Sequence, residues 1–277
     1  IKELKNHNFG KDKVALVVSG GPSLRKNDHI KTIKKYYKKL IIICADGALF
    51  YLLENNIIPD LVVSLDPHKK RIVRWFGDIN LSKKDIKKDD YYKRQEIDIK
   101  FRNEIKANNK IIKLTNKFGK KLKIAACTSS SNNVVKRIIQ INSKIYWWNP
   151  YIDEVSKKKS ISKKIFKLNK LPLINSLGNV GSACWVIAES VLQCKKIILV
   201  GLDYAYYSGT PLKATQYYDV LIKPFGKKNI HKFYKKIYNP KLKKYFLTDY
   251  VYFWYKKLFL DAVKGSSAKT YNCTMGG

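Results

Sequence analysis

The stretch Val14-Ala-Leu-Val-Val-Ser-Gly-Gly-Pro-Ser-Leu24 decides the fold. Five apolar residues run without a break from Val14 to Val18, three of them β-branched, and stop at Gly20-Gly21-Pro22. An unbroken apolar run closed by turn residues reads as a parallel strand, because a strand covered on both faces loses the apolar/polar alternation. Two glycines let the backbone bend and approach a ligand closely. Ser23 is placed to cap the segment that starts near Leu24, leaving N–H groups aimed above the strand as an anion cradle. The turn fits neither G-x-G-x-x-G nor G-x-x-x-x-G-K-[ST], so neither standard nucleotide motif applies. The alternative is an ordinary first βα turn with no ligand.

Moving outward, the same unit repeats. Leu40 to Cys44 reads as a second strand ending in Ala45-Asp46-Gly47, and Ala48 to Asn55 as a short helix with Leu49, Leu52 and Leu53 on its inner face. Leu61 to Leu65 is a third strand, closed by Asp66-Pro67-His68. Repeated βα units argue for an α/β fold of the Rossmann-like kind: a doubly wound, mostly parallel sheet with helices on both faces. Its ligand crevice lies at the carboxyl ends of the strands. Gly20, Gly21, Pro22, Ser23, Asp46 and Asp66 should therefore converge as a nucleotide-binding wall.

Further along, Asn27 to Lys39 reads as a surface helix, and residues 69 to 110 as helix plus loop, most polar at Asp89 to Arg94. Leu122 to Cys127 and Lys144 to Trp148 read as fourth and fifth strands. The hydroxyl- and amide-rich turn Thr128 to Asn133 between them either caps the next helix or binds a ligand. Lys157 to Lys170 reads as an exposed, inserted or mobile segment. In the second informative block, Gly178-Asn179-Val180-Gly181-Ser182 opens a small apolar helix, and the strand Lys196 to Val200 ends in Gly201-Leu202-Asp203-Tyr204. Asn179, Gly181 and Ser182 thus join the nucleotide-binding candidates. The tyrosine-rich stretch 205–247 reads as a lid or insertion within a single domain spanning 1–277, and residues 248 to 263 as a C-terminal helix packed on the sheet, with Tyr250, Trp254, Leu258 and Val263 among its apolar positions.

The chain has 277 residues, 45% of them hydrophobic, with five tryptophans, enough for one large core. It opens on Ile1, which reads as a trimmed start, and shows neither a signal-peptide pattern nor an apolar run long enough to span a bilayer. Five scattered cysteines without C-x-x-C point to reduced thiols in a cytoplasmic protein. The 56 basic residues against 21 acidic ones give a net charge of +35. An AT-rich codon bias explains Lys over Arg but not basic over acidic, so the charge favours anionic partners. A basic nucleic-acid binder is the non-enzymatic alternative. Against it stand the even spread of lysines and the lack of a helix-turn-helix, RNP or zinc motif.

Gly-Pro-Ser-Leu after the first strand, Ala-Asp-Gly-Ala after the second, Pro-Asp-Leu-Val-Val-Ser-Leu-Asp-Pro at the third and Gly-Asn-Val-Gly-Ser with Gly-Leu-Asp-Tyr later form an ordered set. In these the chain resembles the MptE-like domain shared by archaeal 6-hydroxymethylpterin diphosphokinases and bacterial motility accessory factor glycosyltransferases, over roughly residues 13 to 68 and 172 to 210. It also resembles, more weakly, bacterial sialyltransferases that use CMP-sialic acid. The resemblance implies a transferase binding an activated nucleotide. In the diphosphokinase branch the third strand ends in Asp-Leu-Asp-Gly, and Mg²⁺ is needed to offset phosphate charge. Here Ser64-Leu65-Asp66-Pro67 offers one acid, so Asp66 would be a metal ligand only on that branch, with Asp46 and Asp203 to complete the site. A CMP-sugar transferase requires no cofactor. For it, Tyr204, Tyr206 or Tyr207 could donate to the leaving phosphate, with Asp203 beside them at the strand end, and His231 could be the base unless it is merely a solvated histidine of a lysine-rich loop. The expected partners are a nucleotide-activated small molecule, an acidic glycan or protein acceptor, and an anionic membrane touched peripherally from the cytoplasm.

Overall fold

The structure, a computed structural model, describes residues 14–89 and 104–276. Its strands are β1 (Val14–Val18), β2 (Leu40–Ala45), β3 (Leu61–Ser64), β4 (Lys123–Cys127), β5 (Lys144–Pro150), β6 (Leu173–Ile174), β7 (Lys196–Val200), β8 (Tyr206–Tyr207), β9 (Tyr234–Asn239), β10 (Lys244–Asp249) and β11 (Lys269–Asn272). The helices are α1 (Ser23–Lys26), α2 (Ile30–Tyr36), α3 (Asp46–Glu54), α4 (Lys83–Lys88), α5 (Glu104–Phe118), α6 (Asn132–Gln140), α7 (Ile161–Asn169), α8 (Val180–Val186), α9 (Tyr218–Asn229) and α10 (Tyr250–Lys264).

Eight strands form one parallel sheet in the order β11-β7-β1-β2-β3-β4-β5-β6. From β1 the chain steps outward strand by strand to β6, then returns to place β7 on the other side of β1. That reversal opens the crevice of a doubly wound fold between β1 and β7. The register brings the strand ends level: Val18 pairs with both Cys44 and Val200, and Cys44 pairs with Val62. The turns after β1, β2, β3 and β7 therefore meet at one edge.

Unbroken apolar strands are what a sheet with two cores demands. Leu16 and Val18 face one core with Ile42, Cys44, α3 and α6, while Ala15 and Val17 face the other with Ile41, Ile43, α8 and Phe259 of α10. Leu49, Leu52 and Leu53 of α3 are fully buried against the first; truncating any one to Ala should cost about 2–5 kcal/mol.

Four features depart from the sequence reading. The stretch expected as a lid forms most of a three-stranded antiparallel sheet, β8-β10-β9, whose short strands lack an unbroken apolar run. Strand β11 at the sheet edge reads Lys-Thr-Tyr-Asn and is equally silent. The lysine-rich segment holds helix α7, not a mobile insertion: Ser160 accepts the Lys163 N–H, and Asp153 accepts the N–H groups of Ile161 and Ser162. On α10, Trp254 faces solvent; Tyr252, Tyr255, Phe259, Ala262 and Val263 make the contact with the core instead. Of the polar run Asp89 to Arg94, all but Asp89 lies outside the described residues. Among the described residues no helix is long and apolar enough to cross a membrane.

Candidate functional site

The converging turns enclose a cleft of about 300 Å³. Its floor comes from Ser19 to Pro22, Ala45 to Gly47 and Leu65 to Pro67; one wall from Ile72 and Trp75; the other from Gly178 to Gly181 and Gly201 to Tyr206; and its rim from Gln216, Tyr217 and Tyr252. None of these residues is Lys, Arg or His, in a chain with 56 lysines and arginines. Three aspartates and four tyrosines line it instead.

The first turn is packed more tightly than its sequence suggests. Ser19 N–H donates to Val200 and Gly21 N–H to Gly201, both 2.9 Å. The Ser23 N–H donates to Asp203 Oδ2 at 2.7 Å. Most of the expected anion cradle is thus spent on joining β1 to β7. Ser23 does not cap α1 either; Pro22 occupies the cap position with no side-chain hydrogen bond. Glycine is required at position 21 because a Cβ would stand 2.5 Å from the Gly201 carbonyl oxygen and from Asp203 Oδ2.

Asp203 is consequently a strut between the two turns. Its carboxyl is wedged among Gly21, Ser23 and Gly276, and burial pushes it up to about 7. Asp46 is also buried, 4% exposed. It opens α3, accepts Ser64 Oγ–H and the Gly47 N–H, each at 2.8 Å, and lines the cleft. Burial raises its carboxyl to about 7, with the neighbouring charge of Asp66 adding to the rise. Asp66 accepts the His68 N–H at 2.9 Å and faces the same space.

The second glycine block also turns inward. Asn179 caps α8 by accepting the Ser182 N–H at 3.0 Å and donates to Ser182 Oγ at 2.9 Å. Ser182 is fully buried and shares a 2.7 Å hydrogen bond with the Tyr204 hydroxyl, which burial pushes up to about 12. Ser182 is therefore a support for Tyr204 and not a phosphate ligand. A Cβ at Gly181 would meet Ser19 Oγ and stand 2.5 Å from Leu202 Cδ1, so the close approach of α8 to β1 depends on this glycine. Tyr206 accepts the Gln216 N–H at 2.9 Å and donates to Asp249 Oδ2 at 3.2 Å. Asp249 in turn caps α10 through Tyr252 N–H, 2.8 Å. This chain ties the 208–218 loop to the rim of the cleft.

Two candidates fall elsewhere. His231 sits exposed on the single turn Ile230–Phe233 and does not line the cleft, because the added sheet β8-β10-β9 carries it away. Tyr207 does not line the cleft: its hydroxyl is buried and its ring centroid lies 3.8 Å from Lys26 Nζ. The Thr128–Asn133 turn neither lines the cleft nor caps α6 with a side chain. Ser129 Oγ–H donates to Leu65 O and Asn133 to Lys69 O, tying it to the end of β3. Gln216 and Tyr217 come from the 205–247 stretch expected as a lid, whereas sequence reasoning missed Ile72, Trp75 and Tyr252. Trp75 lies in a segment without periodicity, while Tyr252 was hidden among the other aromatics of α10.

The profile of the 6-hydroxymethylpterin diphosphokinase MptE-like family matches residues 1–209. The chain belongs to the MptE-like family. The match covers the whole of the cleft except Gln216, Tyr217 and Tyr252, which lie beyond the matched residues. No curated sequence matches it. Among solved structures, a motility accessory factor glycosyltransferase from Magnetospirillum magneticum AMB-1 shares the fold, with a TM-score of 0.58 at 13% identity. The alignment covers 99% of this chain and 35% of that one, so this MptE-like chain spans about a third of its neighbour's length.

Metal ligation is limited by the same geometry. Among the described residues no three His, Cys, Asp or Glu side chains are grouped to hold an ion. Asp46 and Asp66, at adjacent strand ends, are the pair that could hold Mg²⁺ with phosphate oxygens completing its shell. Asp203, bound to Ser23, stands apart from them.

Proposed function

We propose that this MptE-like chain is the catalytic core of a glycosyltransferase that moves an acidic sugar from a CMP-activated donor to a glycan or protein hydroxyl. The observation that carries the reading is the tyrosine-lined cleft at the β1/β7 switch point, to which no Lys, Arg or His among the described residues contributes. The leaving group of a CMP-sugar is CMP, with a single phosphate whose developing charge neutral hydroxyl donors can meet. A triphosphate would bring several negative charges, and such sites are ordinarily filled with Lys, Arg or metal. Because the Asp46 and Asp203 carboxyls titrate near neutrality, the cleft is less negative than three aspartates would make it.

The roles follow from placement. Trp75 offers a flat apolar wall to the base, and Tyr204 is the hydroxyl placed to donate to the leaving phosphate, the single Tyr206 proton being given to Asp249. Asp46, raised to about 7, takes over from His231 as the general base, since a catalytic pKa near the working pH best combines the deprotonated form with proton affinity. In the reaction the acceptor oxygen loses its proton to Asp46 and bonds the anomeric carbon, while the bond from that carbon to the CMP phosphate oxygen breaks.

Incubation with CMP-sialic acid, in buffer containing EDTA, should release CMP at a rate above the uncatalysed one. The second reading is pyrophosphoryl transfer from ATP to a hydroxymethylpterin, favoured by the family match and by the adjacent Asp46 and Asp66. In that case Mg²⁺ held there would offset phosphate charge. ATP and pterin binding that depends on Mg²⁺, with no CMP release, would replace the first reading by the second.

A further inference from the structure

Helix α10 has two faces of opposite use. Inward, Tyr252, Tyr255 and Phe259 pack on the sheet core, and Tyr252 reaches the cleft. Outward, Tyr250, Phe253, Trp254 and Leu260 stand 43%, 40%, 55% and 46% exposed. Positions 250, 253, 254, 257 and 260 recur at helical spacing, so they form one stripe. Water-exposed large apolar side chains grouped in this way mark an interaction site more often than scattered ones do.

Lysines are interleaved with the rings. Lys235, on β9, holds its Nζ 4.6 Å from the Tyr250 ring centroid and 5.2 Å from that of Phe253. Lys257 Nζ lies 5.7 Å from the Trp254 centroid.

We propose that the outward face of α10 docks on an anionic lipid bilayer. Tyr and Trp carry an apolar body with a polar tip and settle at the headgroup boundary, where Phe and Leu enter the acyl edge and the lysines meet phosphates. Charge selects this occupant over the others. Two copies of a chain with net charge +35 would repel through their lysines if this face met itself. Single-stranded nucleic acid stacks on aromatics along a basic groove, whereas this stripe lies on a convex helix surface. Tyr252 and Trp254 sit within one turn of α10, so docking would hold the cleft beside the membrane. The inference does not depend on which group the cleft transfers.

Flotation of the full chain with vesicles of phosphatidylcholine, with or without phosphatidylglycerol, tests it. Binding should need phosphatidylglycerol and weaken with salt. Lys235→Ala and Lys257→Ala should each lower the partition coefficient about fivefold, and Phe253→Ser with Trp254→Ser should lower it at least about tenfold. All four positions are on the surface, so thermal midpoints should stay close to that of the parent chain. The conservative Trp254→Phe variant guards against a folding artefact: it should still bind while losing most of the fluorescence blue shift on vesicle addition. Failure of the full chain to bind phosphatidylglycerol vesicles at low salt would overturn the proposal. So would undiminished binding by the aromatic variant, or a blue shift unchanged in Trp254→Phe. Tight binding of a single-stranded oligonucleotide that is lost in the aromatic variant, with vesicle binding unaffected, would assign the face to nucleic acid.

Discussion

Replacing Asp203 with Asn should stabilise the protein, and more so at alkaline pH. The substitution keeps an oxygen to accept the Ser23 N–H, now 2.7 Å from Oδ2, and removes a charge that the fold disfavours. The carboxyl is raised from 3.8 to about 7. A raised acid pKa means that the unfolded chain ionises first. Its effect on stability is therefore nil below about 4, grows more unfavourable as pH rises through the window from about 4 to about 7, and is constant above. Three pKa units are worth at most about 4 kcal/mol, at 1.36 kcal/mol each. At pH 8 Asp203→Asn should recover up to that amount, and at pH 4.5 only about 1 kcal/mol. With roughly 2–4 °C per kcal/mol for a chain of this class, the midpoint should rise several degrees more at pH 8 than at pH 4.5. Thermal unfolding of both proteins at the two pH values measures this difference directly. A midpoint change that is the same at both pH values would refute the burial argument. Activity lost with the fold intact would return Asp203 to a catalytic role.

Asp46→Asn should lower turnover about 10²–10⁴-fold, as loss of a general base does, with little change in circular dichroism; near-normal turnover would remove Asp46 from the mechanism. His231→Ala should leave turnover unchanged, because the residue is exposed outside the cleft. Gly181→Ala must push Ser19 or Leu202 aside and should cost about 1–3 kcal/mol in denaturant unfolding, as overpacking generally does. Tyr206→Phe leaves the Gln216 N–H and Asp249 without their shared partner. Faster proteolysis between residues 208 and 218 should report the freed loop.

The parallel sheet was legible because its central strands are apolar without interruption. A run such as Val14–Val18 or Leu40–Ala45, closed by Gly, Pro or Asp, has few other places to go. The strand-end residues Gly20, Asp46, Asp66 and Asp203 were legible as neighbours for the same reason, since topology alone brings strand ends together. Their detailed roles were not. That Asp203 takes the Ser23 N–H, and that Asn179 and Ser182 serve Tyr204, depends on side-chain directions that spacing does not encode. His231 misled because its residue type fits a base wherever it stands. The β8-β10-β9 sheet was hidden because its strands are short and Tyr234–Asn239 and Lys244–Asp249 mix polar and aromatic residues without an unbroken apolar run, a pattern shared with loops. Trp75 lies on a single 3₁₀ turn, Ile72–Phe76, too short to show a period.

Calorimetric titration of CMP into the parent chain and into Gly47→Leu puts the nucleotide cleft itself to the test. Gly47 lines the cleft, and a Cβ there would meet nothing nearer than the Trp75 ring at 3.7 Å, so the larger side chain should fill the ligand space without disturbing the core. CMP should bind the parent chain one to one in the presence of EDTA and fail to bind the folded Gly47→Leu protein. Equal binding to both would place the nucleotide elsewhere, and no CMP binding to either would contradict the CMP-sugar reading of the cleft.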